Sequence, residues 1–350
     1  MKNFKKYSGI LLLFFLVLIK IQDSDFVRKI ENISYDAYQS LFIEKNNFEE
    51  VVIIDIDEKS IGEIGQFPWR RDVFADLIQK LNQYGVSVIT FDVFFSEEDK
   101  QNPKKILEEF NIKNDTVFDS DQKFLESIKS SKVVLPVLGD ISMYNKDNPS
   151  KPKTNIISKG GDLSNYIYSF KNKITSLEKF NNAAKGVGTI SYLDSSDAVL
   201  RSLPLLLKIG NDIWPALSLE TLRVLHGHKN ILINSDQTGI NLIKTRKYQI
   251  EPDRNAIVYI NYKQFDKENY ISAVDVLNLK INENKLRDKI AIIGSSAQGI
   301  FDFVKIPNGN VIPGVETHAH LIENIINNDF IIKNTYRTIA ENLLLIISLI

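Results

Sequence analysis

The chain has 350 residues, 43 Lys plus Arg against 44 Asp plus Glu, a net charge of −1 and no cysteine. Balanced charge excludes a global attraction to nucleic acid or to an anionic membrane surface, and the lack of thiols excludes disulfides, zinc–thiolate sites and thiol catalysis. A hydrophobic fraction of 43% supports a real core in one large or two ordinary domains.

The chain opens MKNFKKYSGILLLFFLVLIKI, where Lys2, Lys5 and Lys6 precede an apolar stretch at residues 9–19. No small-x-small cleavage pattern follows it, so residues 1–22 read as an uncleaved signal anchor with the amino terminus inside. Phe26, Ile30, Ile33, Ala37 and Leu41 then recur at helical intervals, which predicts a helix over 23–48 that leaves the membrane as a stalk and lid. Two continuous apolar runs follow, at 51–54 and 86–91, with an amphipathic segment at 71–84 between them. That is a strand–helix–strand unit with parallel strands and a right-handed crossover.

Residues 101–118 read as a helix plus loop, and 121–130 as a helix leading into VVLPV at 133–137, a third buried strand. Residues 142–175 are rich in Lys, Asn and Ser with little periodicity, which predicts a disordered polar insertion. Residues 187–192 and 202–209 read as a strand pair around a turn at 194–197, and 214–226 as a helix with Pro215 in its first turn. Short strands are predicted at 231–233, 239–243, 248–250 and 257–262, a final buried strand at 289–294, and a last helix at 313–328. The closing TIAENLLLIISLI reads as the start of a second membrane span at 337–350, in a protein expected to continue past Ile350. Together these predict an α/β fold with a mixed, partly parallel sheet, flanking helices and an antiparallel side layer. It forms one composite domain over residues 23–336, between amino-terminal and carboxy-terminal membrane helices.

Carboxylates gather where the apolar runs end: Asp55 and Asp57 after the first, Asp92 after the second. In parallel sheets the carboxyl ends of the strands form the ligand crevice. The loop FPWRR, with Trp69, Arg70 and Arg71, and the turn GSSAQG, with Ser295 and Ser296 ahead of Asp302, are expected at the same mouth. Four carboxylates drawn close cannot all stay ionised without a cation or an arginine, so Arg70 or Arg71 is expected to compensate some of them where a ligand docks. The plain alternative has Asp57 capping a helix and the arginines held in salt bridges. Asp55-x-Asp57 also resembles the first motif of haloacid-dehalogenase-type phosphatases, which makes a metal-dependent hydrolase the competing reading. That chemistry needs a lysine and a later acidic pair, and the late strand offers Ser295 and Ser296 in their place. In PGVETHAH, Glu316, His318 and His320 are the candidate metal ligands. On a helix Glu316 and His320 share a face while His318 lies opposite, and no HExxH is present.

Several separated motifs, IDIDEKS, PWRR, YGVSVITFD and FFSEED, then VGTISYLDSSDAVLRSLPLLLKIG, IVYINYKQF and LRDKIAIIGSSAQGIFD, stand in an order that resembles the CHASE type-2 domain over roughly residues 25–335. Ala198 replaces the glycine of that family's DG-V-R-R element. The resemblance implies an extracytoplasmic sensory domain of a bacterial membrane receptor. It further implies an unknown small-molecule or ionic ligand, a homodimer held in the cytoplasmic membrane, no nucleic-acid partner, and a cytoplasmic output such as an adenylate or diguanylate cyclase or a kinase. A non-signalling surface binding module is the other alternative.

Overall fold

Apolar runs too short for helices and rich in Val and Ile build the centre of the molecule as strands. The computed structural model describes residues 25–43, 48–112, 116–140, 149–193, 195–300 and 302–331. The expected membrane segments at 1–22 and 337–350 lie outside these residues. No helix among the described residues is long and apolar enough to cross a membrane.

Among the described residues, seven strands form the main sheet: β1 (Val51–Ile56), β2 (Val88–Phe91), β3 (Val133–Asp140), β4 (Asn172–Thr175), β5 (Gly186–Thr189), β6 (Tyr270–Ser272) and β7 (Ile290–Ser295). β1 is flanked by β6 and β7, β7 by β1 and β2, and β2 is followed by β3, all parallel. Val134 pairs with both Thr90 and Gly186, and Val137 with both Thr175 and Thr189. β5 therefore covers one side of β3, while the antiparallel β4 takes over on the other side where β2 ends. The predicted strand–helix–strand unit is present, but β7, arriving late in the chain, sits between its two strands.

Five helices matter for the site: α1 (Asp25–Leu41), α2 (Arg71–Gln83), α3 (Ser120–Lys129), α4 (Leu217–Leu225) and α5 (Gly314–Asn327). Because successive side chains on a strand point to opposite faces, the main strands fill two separate cores. Val52, Ile54, Ile89, Phe91, Val133, Ala291 and Ile293 pack on α2 and α3 through Phe74, Leu77, Ile78, Leu81, Phe124 and Ile128. Val51, Ile53, Val88, Val134, Ile290 and Ile292 pack on α4 and α5. That second core continues into a side sheet of Asn155–Lys159, Asn230–Asp236, Gly239–Lys244 and Gln249–Ile250, in which Asn155–Lys159 alone runs parallel to its neighbour.

The structure corrects several expectations. Within 142–175, the strands Asn155–Lys159, Ser169–Phe170 and β4 are built into sheets, while residues 141–148 lie outside the description. Their partners are far away in sequence, so the local pattern carries no sign of them. The expected hairpin of 187–192 with 202–209 does not form: β5 joins the main sheet, Ser202–Pro204 pairs with Ile257–Tyr259, and Leu206–Ile209 pairs with Asp212–Pro215. Trp214 and Pro215 consequently end a strand, and α4 begins only at Leu217. The apolar stripe of α1 is not its docking face, since Ile30, Ile33 and Leu41 are 49%, 67% and 76% exposed. At Ala198, φ is 55° and the Asp197 carboxylate accepts the Val199 N–H at 3.2 Å, so the tight turn survives without glycine.

Two glycines let α4 lie directly on β5. A Cβ on Gly186 would meet the Glu220 carboxylate at 2.7 Å, and one on Gly188 would lie 2.6 Å from the Leu217 Cα. Glu220, fully buried, accepts hydrogen bonds from Arg223 at 2.6 and 2.8 Å, from the Val187 N–H at 3.3 Å and from the Thr154 hydroxyl. This buried pair ties α4 both to β5 and to the start of the inserted segment. Because backbone cannot retreat as a flexible side chain can, Gly188→Ala is expected to lower stability by about 1–3 kcal/mol. A urea midpoint no lower than that of the parent chain would contradict this packing.

Candidate functional site

The carboxyl ends of the parallel strands open into a cleft of about 880 Å³. Its walls come from Asp92 and Phe94 after β2, Asp140 at the end of β3, Tyr168 and Phe170 from the inserted segment, and Tyr192 after β5. Ser295 at the tip of β7, Asp302, and Gly314, Thr317 and His318 on the first turns of α5 complete it. Phe67 of the FPWRR loop reaches the rim.

Asp92 is half-buried. Burial, with the charge of Asp302 adding to it, pushes its carboxyl up to about 8. Asp302 accepts the Gly314 N–H at 2.7 Å through its backbone carbonyl. Its carboxylate lies against the same turn, so close that a Cβ on Gly314 would come within 2.3 Å of it. A negative group there complements the positive end of the α5 dipole. His318 is buried and held down to about 4 by that burial, so at neutral pH it is uncharged; Ser218 Oγ lies 3.3 Å from its Nδ1.

Apart from Ser295, the other predicted site residues do not line the cleft. Asp55, 6% exposed, accepts the Ser296 N–H at 2.8 Å and the Ser296 hydroxyl at 2.6 Å. Burial outweighs those bonds and raises its carboxyl to about 6, with Asp57 and Glu58 adding to the rise. Asp57 caps the helix Glu58–Ile64 through the Ser60 N–H at 2.8 Å and accepts the Ser272 hydroxyl at 2.9 Å. Ser295 donates to the Ile56 carbonyl at 2.9 Å. Asp55 and Asp57 are thus engaged in local structure and do not line the cleft, an arrangement unlike a nucleophile and acid/base pair around a metal.

The expected arginine compensation is absent from the mouth. Arg70 forks onto Asp72 at 2.5 and 2.7 Å. Arg71 donates its N–H to Asp99 at 2.9 Å, lies 4.0 Å from Asp121, and stacks over Phe95 at 4.8 Å. Trp69 is buried, donating to the Gly65 carbonyl at 2.7 Å. These residues anchor the loop to α2 and α3.

Glu316 and His320 do share a face of α5, 3.4 Å apart, and His318 points the other way, as their spacing requires. Glu316 accepts the Tyr270 hydroxyl at 2.5 Å, and His320 packs among the rings of Phe48, Tyr262 and Phe265. Among the described residues no group of three His, Cys, Asp or Glu side chains could hold a metal ion.

A second cluster joins the two ends of the described chain. Arg201, 6% exposed, forks onto Asp36 of α1 at 2.7 and 2.8 Å and holds Asp197 at 2.6 and 2.9 Å. Tyr35 donates to the Ile260 carbonyl, and Gln39 accepts the Tyr262 N–H at 2.9 Å and donates to Asn261 at 3.0 Å. Asn261 in turn binds Asn324 of α5 at 2.8 Å and Asp329 just beyond it at 3.0 Å. The helix α1 and the far end of α5 therefore meet on residues 259–263. The sequence reading missed this cluster and the cleft residues Asp140, Tyr168, Phe170 and Tyr192. YIYSF at 166–170, an aromatic run inside a polar stretch, was the available signal.

A family model described as the CHASE2 domain matches residues 10–350. No curated protein and no solved structure matches the chain.

Asp92, facing Asp302, Asp140 and His318 across the cleft, makes stability depend on pH. Between about pH 6.5 and 8 the folded chain retains a proton on Asp92 that the unfolded chain, with its ordinary carboxyl at 3.8, has released. Stability should therefore fall as pH rises through this window and level off above it. His318 is uncharged throughout the window in the folded chain and largely so when unfolded. Asp92→Asn should flatten the fall and raise the melting temperature at pH 8 by a few degrees, about 2–4 °C. Identical pH profiles for the two proteins would contradict the placement of Asp92.

Proposed function

This chain belongs to the CHASE2 domain family, sensory domains found in signalling proteins, and from that premise we propose that it forms the extracytoplasmic ligand-sensing part of a bacterial membrane receptor. One observation carries the reading furthest: α5 begins in the cleft, at Gly314, Thr317 and His318, and ends at the junction with α1, at Asn324. A helix of 14 residues spans about 21 Å, so a ligand that shifts its first turn moves its last one against α1. The chain before α1 begins with the basic and apolar pattern of a signal anchor, which supports anchoring in the cytoplasmic membrane and delivery of that displacement across it.

The exposed stripe of Ile30, Ile33 and Leu41, at spacings of three and eight, suits pairing with the same stripe of a second copy and supports a homodimer. The output is an adenylate or diguanylate cyclase or a kinase, on family analogy alone. A reporter phosphatase fused after Ser150 in the membrane-inserted chain should be active, and a reporter that works only in the cytoplasm should be silent there. The reverse pair of results would remove the receptor reading.

A further inference from the structure

On the reading that the cleft is the sensory site, we propose that its ligand is a small organic cation: a protonated amine on an aromatic or branched aliphatic body. The volume of about 880 Å³ falls in the range of small-molecule sites. Among the described residues the charged groups on its walls are Asp92, Asp140 and Asp302, and no described lysine or arginine lines it. The two arginines nearest in sequence to its rim are engaged with Asp72, Asp99 and Asp121.

The remaining lining decides between cationic ligands. Phe94, Tyr168, Phe170 and Tyr192 supply aromatic surface, and Leu138 and Ile190 supply aliphatic surface. Ring faces attract an organic cation and shelter its apolar body. A bare metal ion would need convergent ligands, and no group of three His, Cys, Asp or Glu among the described residues provides them. An anion fits worse. It would face Asp92 and Asp302, and the positive end of α5, its first turn, already has the Asp302 carboxylate packed against it. His318 offers no charge at neutral pH. An ammonium placed between Asp92 and Asp302 instead lets both stand ionised. Because Asp92 holds a proton near neutrality, seating the ammonium there releases that proton to the solvent.

The test is calorimetry on the full chain in nanodiscs with three probes of similar size: phenethylamine, 2-phenylethanol and 3-phenylpropionate. Phenethylamine should bind about tenfold or more tightly than either of the others. Its heat should vary with the ionisation enthalpy of the buffer at pH 7, reporting proton release. Asp92→Asn and Asp302→Asn should each weaken it by about tenfold or more, with melting curves showing both variants folded. Leu138→Trp, which fills the cleft, should abolish it. Equal or tighter binding of phenylpropionate or phenylethanol, lost in Leu138→Trp, would overturn the amine class and leave the cleft as the ligand site. Absence of amine binding, or amine affinity unchanged in both Asp variants, would overturn the proposal as well. Binding untouched by Leu138→Trp would place the ligand outside the cleft and overturn the underlying reading with it.

Discussion

The main sheet is covered on both faces, and that single constraint decides where polar groups can stand. Strands buried on both sides must be apolar at nearly every position, as β1, β2 and β7 are along most of their length. Side chains that carry charge are pushed to the strand ends, and the parallel direction collects those ends on one side. Asp55, Asp92 and Asp140 are all last or next-to-last residues of strands, or directly follow one. The same constraint separates them. Asp55 is met by the Ser296 backbone and hydroxyl at the end of β7, while Asp92, two strands along, opens into space that the inserted segment and α5 enclose.

Close covering has its own requirements. The helix α4 can lie on β5 only because Gly186 and Gly188 present no side chain, and its one buried acid, Glu220, is met by Arg223 and a backbone N–H. Removing one member of such a pair leaves the other buried and uncompensated, which is strongly destabilising. α5 is placed by a different device: Asp302 against its first turn at the cleft, and Asn324 bonded to Asn261 at its far end. One rigid element thus touches both the cleft and the junction with α1.

Local periodicity was enough to read the α/β class, the helix expected at 71–84 and found at Arg71–Gln83, the buried strands and the opposed faces of His318 and His320. It also pointed to Asp92 and Asp302 as members of one mouth. It offered salt bridges as one reading of Arg70 and Arg71 but not their partners, because charge complementarity has no local signature. Asp99 and Asp121 reach Arg71 only through the packing of α2 beside α3. Trp214 and Pro215 fit a helical pattern as well as a strand, and the pairing with Leu206–Ile209 decided between them. In the inserted segment, β4 finds its partner in β3, and Asn155–Lys159 finds its own some 75 residues later, at Asn230–Asp236. The aromatic walls of the cleft were overlooked for the same reason, since the composition of that stretch is polar while Tyr168 and Phe170 line the cleft.

The central claim is that the cleft at the strand ends is the sensing site and that α5 links it to α1. Hydrogen exchange on the full chain in nanodiscs, with and without saturating phenethylamine, tests both halves at once. The account expects slowed exchange at 92–95, 168–170 and 190–193, around the cleft, together with altered exchange at 33–42 and 259–263, at the junction. Unchanged exchange around the cleft, or protection confined to the FPWRR loop at 67–71, would contradict it.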